Sequence, residues 1–243
     1  MSNNYFQFKQ FTIHQDRCAM KVTTDACLFG AWLAEKINNQ RSKAKNILDI
    51  GTGTGLLSLM LSQKADAIID AIEIDKDSFE QASENIKASP WAERINIIHD
   101  DARHYSFSYK YDIIISNPPF YENELKSDDK KKNIAHHGDD LSLKELLTII
   151  KNNLVETGRF FLLLPYKRND EIKKMFSGSD LSINEMVFVK QTDRHSPFRI
   201  MISGKLRKEE PAEILLDEIV IKDKTGQYTE RFIVLLKEYY SSL

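Results

Sequence analysis

The chain has 243 residues, 42% of them hydrophobic and 29% charged, with a formal net charge of -2. That is ordinary globular composition, long enough for one large core or a domain with appendages. The near-neutral balance excludes an overall basic nucleic-acid binder, so any positive surface is a local patch. The two cysteines, Cys18 and Cys27, are nine positions apart. They make neither a disulfide framework nor a zinc spacing, and read as buried thiols in a reducing cytosol. The N-terminus lacks the charged and apolar regions of a signal peptide, and no apolar run approaches the ~20 residues of a bilayer span. A cytoplasmic protein is expected.

Residues 1–45 form a lead-in. Tyr5 to Ile13 alternates large apolar and polar residues, which predicts one or two edge strands. Ala26 to Ile37 has helical spacing, with Leu28, Trp32 and Leu33 on one face and Thr24 or Asp25 as N-cap. From Asn46 strands and helices alternate. Strands are predicted at 46–50, 67–73, 95–99, 111–116, 159–164, 184–190 and 200–206. Helices are predicted at 56–64, 76–88, 143–154 and 170–176, with Thr157-Gly158 as a C-cap signal after the third. This alternation implies right-handed βαβ units and an α/β fold with a mostly parallel sheet. The last two strands have only a loop between them, so one is expected to run antiparallel at the edge. Beyond residue 206, Glu218 to Lys222 reads as a strand and Thr229 to Tyr240 as a helix. The expected organisation is a lead-in over the site (1–45), a core (46–206) and a C-terminal extension (207–243).

Three features carry chemistry. Gly51-Thr-Gly-Thr-Gly55 follows the first core strand, where glycines permit positive φ and close approach of a ligand. A dinucleotide fingerprint would place its third glycine at position 56, which is Leu, so a pyrophosphate cradle is disfavoured. Glu73 ends the second strand, where a carboxylate can accept two hydrogen bonds from a ribose diol. Asp75 is the neighbouring alternative, or the cap of the following helix. Asp100-Asp101-Ala102 follows the third strand, beside the place an adenine would take. Finally, Asn117-Pro118-Pro119-Phe120 ends the fourth strand, because neither proline can donate to the ladder. It leaves an amide, a carbonyl and a ring at the edge where α/β sheets bind ligands.

Asn117 Oδ1 and the Pro118 carbonyl suit an exocyclic amine, whose lone pair is delocalised into its ring. Two acceptors on its hydrogens stabilise the positive charge that develops on nitrogen. Phe120 would stack on an unstacked base, with Tyr121 as a second stacking candidate. Pro119 belongs to the same substrate-facing set. Lys126, Lys130, Lys131 and Lys132 lie in the long polar stretch 121–140, and Arg194-His195 and Lys205, Arg207, Lys208 form other basic groups that could track RNA. His136-His137 lacks further ligands at useful spacing, and no metal is assigned.

In this order, Asp49-Ile-Gly-Thr-Gly-Thr-Gly55, Glu73, Asp101 and the NPPF tetrapeptide resemble a class I S-adenosylmethionine-dependent methyltransferase of the amino-group methylating branch. The resemblance implies a Rossmann-like fold with a seven-stranded, mostly parallel sheet, helices on both faces and an antiparallel edge strand. It implies that Asp49, Gly51, Gly53 and Gly55 form the turn beside the methionine part of S-adenosylmethionine. Glu73 would hold the ribose, and Asp101 with Ala102 the adenine. Met20 to Trp32, Ser89-Pro90-Trp91 and Gln227 to Phe232 narrow the resemblance to bacterial tRNA(Val) adenine-N6-methyltransferases. These act on the adenosine 3′ of the anticodon, position 37. Related enzymes lay a segment equivalent to Lys21–Asp25 over the cofactor, which implicates Thr23 and Asp25. A monomer acting on a tRNA anticodon loop is expected. The alternatives are a release-factor glutamine N5-methyltransferase, a DNA adenine methyltransferase, a Rossmann oxidoreductase and a non-catalytic RNA-binding protein.

Overall fold

The computed structural model describes residues 3–18, 20–38, 44–119, 141–207 and 213–243. The lead-in makes an antiparallel pair, β1 (Tyr5–Gln7) and β2 (Thr12–His14), that forms its own two-stranded sheet rather than an edge of the main one. Phe8 stacks on Phe11 at 4.4 Å between ring centroids, and both are buried. Lys9 N donates to Tyr239 O at 2.8 Å, tying the start of the chain to its end. Helix α1 (Thr24–Asn38) follows, apolar nearly all round, with ten of its 15 residues buried. Such a helix belongs inside a core rather than on its surface.

Eight strands form the main sheet: β3 (Asn46–Ile50), β4 (Ile68–Glu73), β5 (Ile95–His99), β6 (Tyr111–Ser116), β7 (Leu154–Pro165), β8 (Leu181–Lys190), β9 (Arg199–Leu206) and β10 (Leu215–Val220). Their order is β10-β8-β9-β7-β6-β3-β4-β5. All neighbours are parallel except at β9, which is antiparallel to both β7 and β8. One of the last two predicted strands is antiparallel, as expected, but it lies between β7 and β8 rather than at the edge, because β8 crosses over to pair on its far side. The seven predicted strands gain an eighth because the C-terminal piece pairs in parallel with β8, at 215–220 rather than 218–222.

Helices α2 (Leu56–Ser62) and α3 (Lys76–Lys87) connect β3, β4 and β5, while α4 (Leu143–Asn153) and α5 (Asn169–Ser177) connect β6, β7 and β8. Strand residues alternate between two cores. Ile47, Ile113 and Ile115 pack with α1, α2 and the C-terminal helix α6 (Glu230–Leu236). Leu48, Ile50 and Ile114 pack with α4 and α5. Covering both faces explains why these strands read as continuous apolar runs. Thr157-Gly158 is not a helix cap. Helix α4 ends at Asn153 and β7 begins at once, with a register shift opposite Tyr111 and Ile113. Gly158 has no positive φ; it is there because a Cβ would lie 2.9 Å from the Val155 carbonyl.

Strand β9 also depends on one close approach. Gly204 faces Phe160 across the ladder, and a Cβ there would lie 2.1 Å from Phe160 Cζ and 2.4 Å from Ser182 O. Phe160 is itself stacked on buried Phe176 and has nowhere to retreat. Gly204→Ala is therefore expected to cost about 1–3 kcal/mol or more. Urea unfolding should show a lower midpoint with an unchanged slope.

Candidate active site

The order β6-β3-β4 places β3 at the point where the connections diverge. Here the carboxyl ends of the strands open into a crevice, as in other α/β sheets. The turn after β3 carries positive φ at Gly51 (68°), Gly53 (58°) and Gly55 (81°), a conformation that L side chains rarely adopt. Gly51 N and Thr52 N donate to Ile72 O, which presses the turn against the end of β4. Gly53 N donates to Glu73 Oε2 at 2.8 Å and Asp75 N to Glu73 Oε1 at 3.0 Å. Burial raises the Glu73 pKa, and these two backbone donors oppose the rise. Asp75 Oδ1 accepts from Ser78 N, so its side chain caps α3.

Asp49 lies beneath the turn. Its Oδ2 accepts from Thr52 Oγ1 and Ser58 Oγ, each at 2.7 Å, while Oδ1 is buried without a partner. Burial pushes its pKa up to about 6, and the Glu73 charge adds to the rise. After β5, Asp100 Oδ1 accepts from Asp101 N, and Asp101 pairs with the Arg103 guanidinium at 2.7 Å. That pairing holds the Asp101 carboxyl below the usual carboxylate range. Ser116 Oγ donates to Ile50 O at 2.8 Å, locking the end of β6 against β3 just before Asn117.

A cavity of about 560 Å³ opens between these ends. Of the residues singled out from sequence, Gly51, Gly53, Glu73, Asp101, Ala102, Asn117, Pro118 and Pro119 line it together. Asp49 and Gly55 do not; one supports the turn from below and the other precedes α2. Thr23 and Asp25 lie away from the cavity. Thr23 Oγ1 accepts from Ala26 N at the start of α1, and Asp25 pairs with Arg199 at 2.7 Å. The lead-in contributes Arg17, Cys18 and Met20 to the cavity wall instead. Phe120, Tyr121, Lys126, Lys130, Lys131, Lys132 and the His136-His137 pair lie outside the described residues. Among the described residues no group of three or more His, Cys, Asp or Glu is placed to hold a metal ion.

Two residues escape a sequence reading. Asn85, buried in α3, donates through Nδ2 to His14 O and Thr54 O and accepts at Oδ1 from His14 N, each at 2.9 Å. It clamps the lead-in to the glycine turn, yet reads as one more polar residue on a helix. Arg103 spans from Asp101 to Glu145 on α4, 3.9 Å away. Glu145 belongs to a capping box with Ser142, and that S-x-x-E pattern is visible in the sequence.

Sheet order, glycine turn and cavity together define a class I methyltransferase. A family model described as methyltransferase small domain matches residues 29–169. Two solved structures share the fold. A predicted O-methyltransferase from Agrobacterium tumefaciens has a TM-score of 0.68 at 13% identity, over 90% of this chain and 100% of that one. A putative class I S-adenosylmethionine-dependent methyltransferase from Listeria monocytogenes has a TM-score of 0.64 at 18% identity, over 90% and 73%. Relatives named tRNA1(Val) (adenine(37)-N6)-methyltransferase are nearer in sequence. The one from Bacteroides fragilis is 40% identical over 99% of each chain, and the one from Dyadobacter fermentans 39% identical over 98% of each. The chain belongs to the tRNA1(Val) (adenine(37)-N6)-methyltransferase family.

The raised pKa of Asp49 has a consequence for stability. Because its folded value exceeds its unfolded one, folding loses stability as pH rises from about 4 to about 6 and this carboxyl must ionise in the interior. Asp49→Asn removes the ionisation. The stability of the variant relative to the parent is expected to rise across that window, by on the order of 3 kcal/mol, and to stay flat above it. Urea titrations of both proteins at several pH values measure this, and a difference that does not vary with pH would exclude it.

Proposed function

We propose that this protein methylates the exocyclic N6 of the adenosine 3′ of the anticodon (position 37) in tRNA1(Val), with S-adenosylmethionine as donor. One observation carries the reading. Asn117 and Pro118 line the same cavity as the glycine turn and Glu73, so amine acceptors and a cofactor wall share one space. Full-length relatives at about two-fifths identity bear the same activity in their names.

The residues present fit the cofactor. Gly51 and Gly53 line the cavity, and a Cβ at either would meet no protein atom within 4 Å, so the turn leaves room for a ligand against bare backbone. Each Glu73 oxygen accepts one backbone N–H and keeps acceptor capacity for a ribose hydroxyl. Glu73 lines the cavity as a largely buried carboxylate, which favours positive charge beside it. Gly51 and Gly53 would border the methionine part, Glu73 the ribose, and Asp101 with Ala102 the adenine. When bound, S-adenosylmethionine supplies an electrophilic methyl group on a sulfonium centre.

The chain's own contribution is to hold the substrate amine. Asn117 Oδ1 and the Pro118 carbonyl accept its two hydrogens, drawing the lone pair out of conjugation and stabilising positive charge on nitrogen. The prolines fix that carbonyl in place, and Ser116 anchors the segment to β3. This is preorganisation of acceptors rather than proton abstraction. Phe120 stacks on the base once it has left its own stack, which costs less in a loop than in a duplex. Lys130, Lys131 and Lys132 lie on the polar stretch that follows, where they can meet RNA phosphates.

Transfer of label from S-adenosylmethionine to an unmodified tRNA(Val) transcript tests the assignment. Asn117→Ala should lower transfer by about 10²–10³-fold while cofactor affinity is kept. Glu73→Ala should show the opposite split, weakening cofactor binding about ten- to hundredfold. Wild-type protein that binds the cofactor but methylates no RNA would refute the proposal.

A further inference from the structure

The catalytic edge of the sheet is polarised. Beyond β4 and β5 it carries Glu73, Asp75, Asp77, Asp100 and Asp101 against two arginines, Arg17 and Arg103, which leaves an excess of acids lining the cavity. A polyanion is repelled from that side. The loop between β8 and β9 sits on the other flank of Asn117, because β8 runs parallel to β6 and β7 while β9 returns from the same edge. With a strand spacing of ~4.8 Å, three steps separate the end of β6 from the end of β8, or ~14 Å.

That loop has the surface chemistry of an RNA contact. Arg194 and His195 are exposed. Thr192 Oγ1 lies 2.6 Å from His195 Nδ1, which fixes the ring. Phe198 is 36% exposed, unusual for a phenylalanine, and the Arg199 guanidinium lies 5.9 Å from its ring centre. Lys222 and Lys224 flank the loop, since Lys222 N donates to Gln191 O. The acids here are mostly engaged. Asp25 is held by Arg199, and Asp223 accepts from Thr225 and Gln227, leaving Asp193 exposed in the loop. The loop is not loosely tethered. Phe198 N donates to Val189 O, Tyr166 N donates to Phe198 O, and Arg199 is pinned to α1 through Asp25.

We propose that the loop 191–199 holds the unpaired RNA strand beside the reacting base, with Arg194 on a phosphate and Phe198 stacked on a neighbouring base. The inference rests on the tRNA reading above. An unpaired loop offers both phosphates and free π faces, which is what a cation beside an exposed ring selects. The C-terminal end of β9, also singled out from sequence as basic, is excluded by position. Lys205 and Arg207 lie at the opposite end of β9, facing the start of β8, and Arg207 is spent on the carbonyls of Phe176, Ser179 and Leu181.

The test uses full-length protein and unmodified tRNA(Val) transcript, with RNA affinity from fluorescence anisotropy, cofactor affinity from calorimetry, and methyl transfer. Arg194→Glu and Phe198→Ala should each weaken RNA binding about tenfold, with cofactor affinity and melting temperature unchanged. For Arg194→Glu, the slope of log affinity against log salt should shrink by about 0.7–1. Lys205→Glu should match the wild type. Wild-type RNA affinity in both loop variants overturns the proposal, as does an equal loss in Lys205→Glu, which would mark a generic charge effect. Wild-type protein that binds the cofactor but no RNA removes the tRNA assignment and the loop's role with it. Loss confined to the loop variants, with transfer by the wild type intact, supports both the tRNA assignment and the loop's role.

Discussion

The catalytic edge depends on one buried carboxylate. Glu73 is 8% exposed and accepts one backbone N–H from the glycine turn and one from the start of α3. Those donors orient the turn after β3 and the turn after β4 toward the same point. Without the charge, neither N–H has a partner at that depth, and leaving a buried donor unpaired costs about 1–3 kcal/mol. Asp49 lies just below, its ionisation opposed by burial and by Glu73. Two buried acids therefore share one edge, each with its ionisation opposed first by burial.

A second constraint joins the two halves of the site. β3 and β6 are neighbours in the sheet, so the glycine turn and the Asn117 segment leave adjacent strands in the same direction. Ser116 closes the remaining freedom by donating to the Ile50 carbonyl. The two parts of the proposed site are thus set by sheet register, which a rigid parallel core fixes far better than loops would. The same register carries the flank toward β7, β8 and β9, where the acids of the β4 and β5 side give way to Arg194, Arg199 and an exposed ring.

Strands β3, β4 and β6 were legible because burial on both faces makes them plain apolar runs. Their ends were legible too, since Gly51, Glu73 and Asn117-Pro118 interrupt those runs. β10 was displaced in the reading because it is an outer strand with Leu215 and Leu216 exposed, so its apolar residues do not mark a buried face. Gly158 carried the composition of a helix cap, while its real role is a close backbone approach that no local pattern reveals. Within the site, the carboxylates at strand ends could be read, but the wall formed by Arg17, Cys18 and Met20 could not. Those residues reach the cavity through tertiary packing alone, held by the Asn85 clamp.

The lead-in is where resemblance and geometry diverge most usefully. Resemblance points to Thr23 and Asp25 as cofactor contacts, yet the structure gives Asp25 to Arg199 and lets Arg17, Cys18 and Met20 reach the cavity. One short segment therefore touches both the cavity and the loop before β9. Its first part walls the cavity and is fastened to the glycine turn by Asn85. Its last part, at the head of α1, fastens the end of the loop before β9. A partly buried carboxylate paired to a half-exposed guanidinium is a poor source of net stability but a good means of fixing position. What Asp25 fixes is the end of the loop that carries Arg194 and Phe198, so the lead-in couples the geometry of the cofactor wall to that of the flank where RNA is proposed to lie.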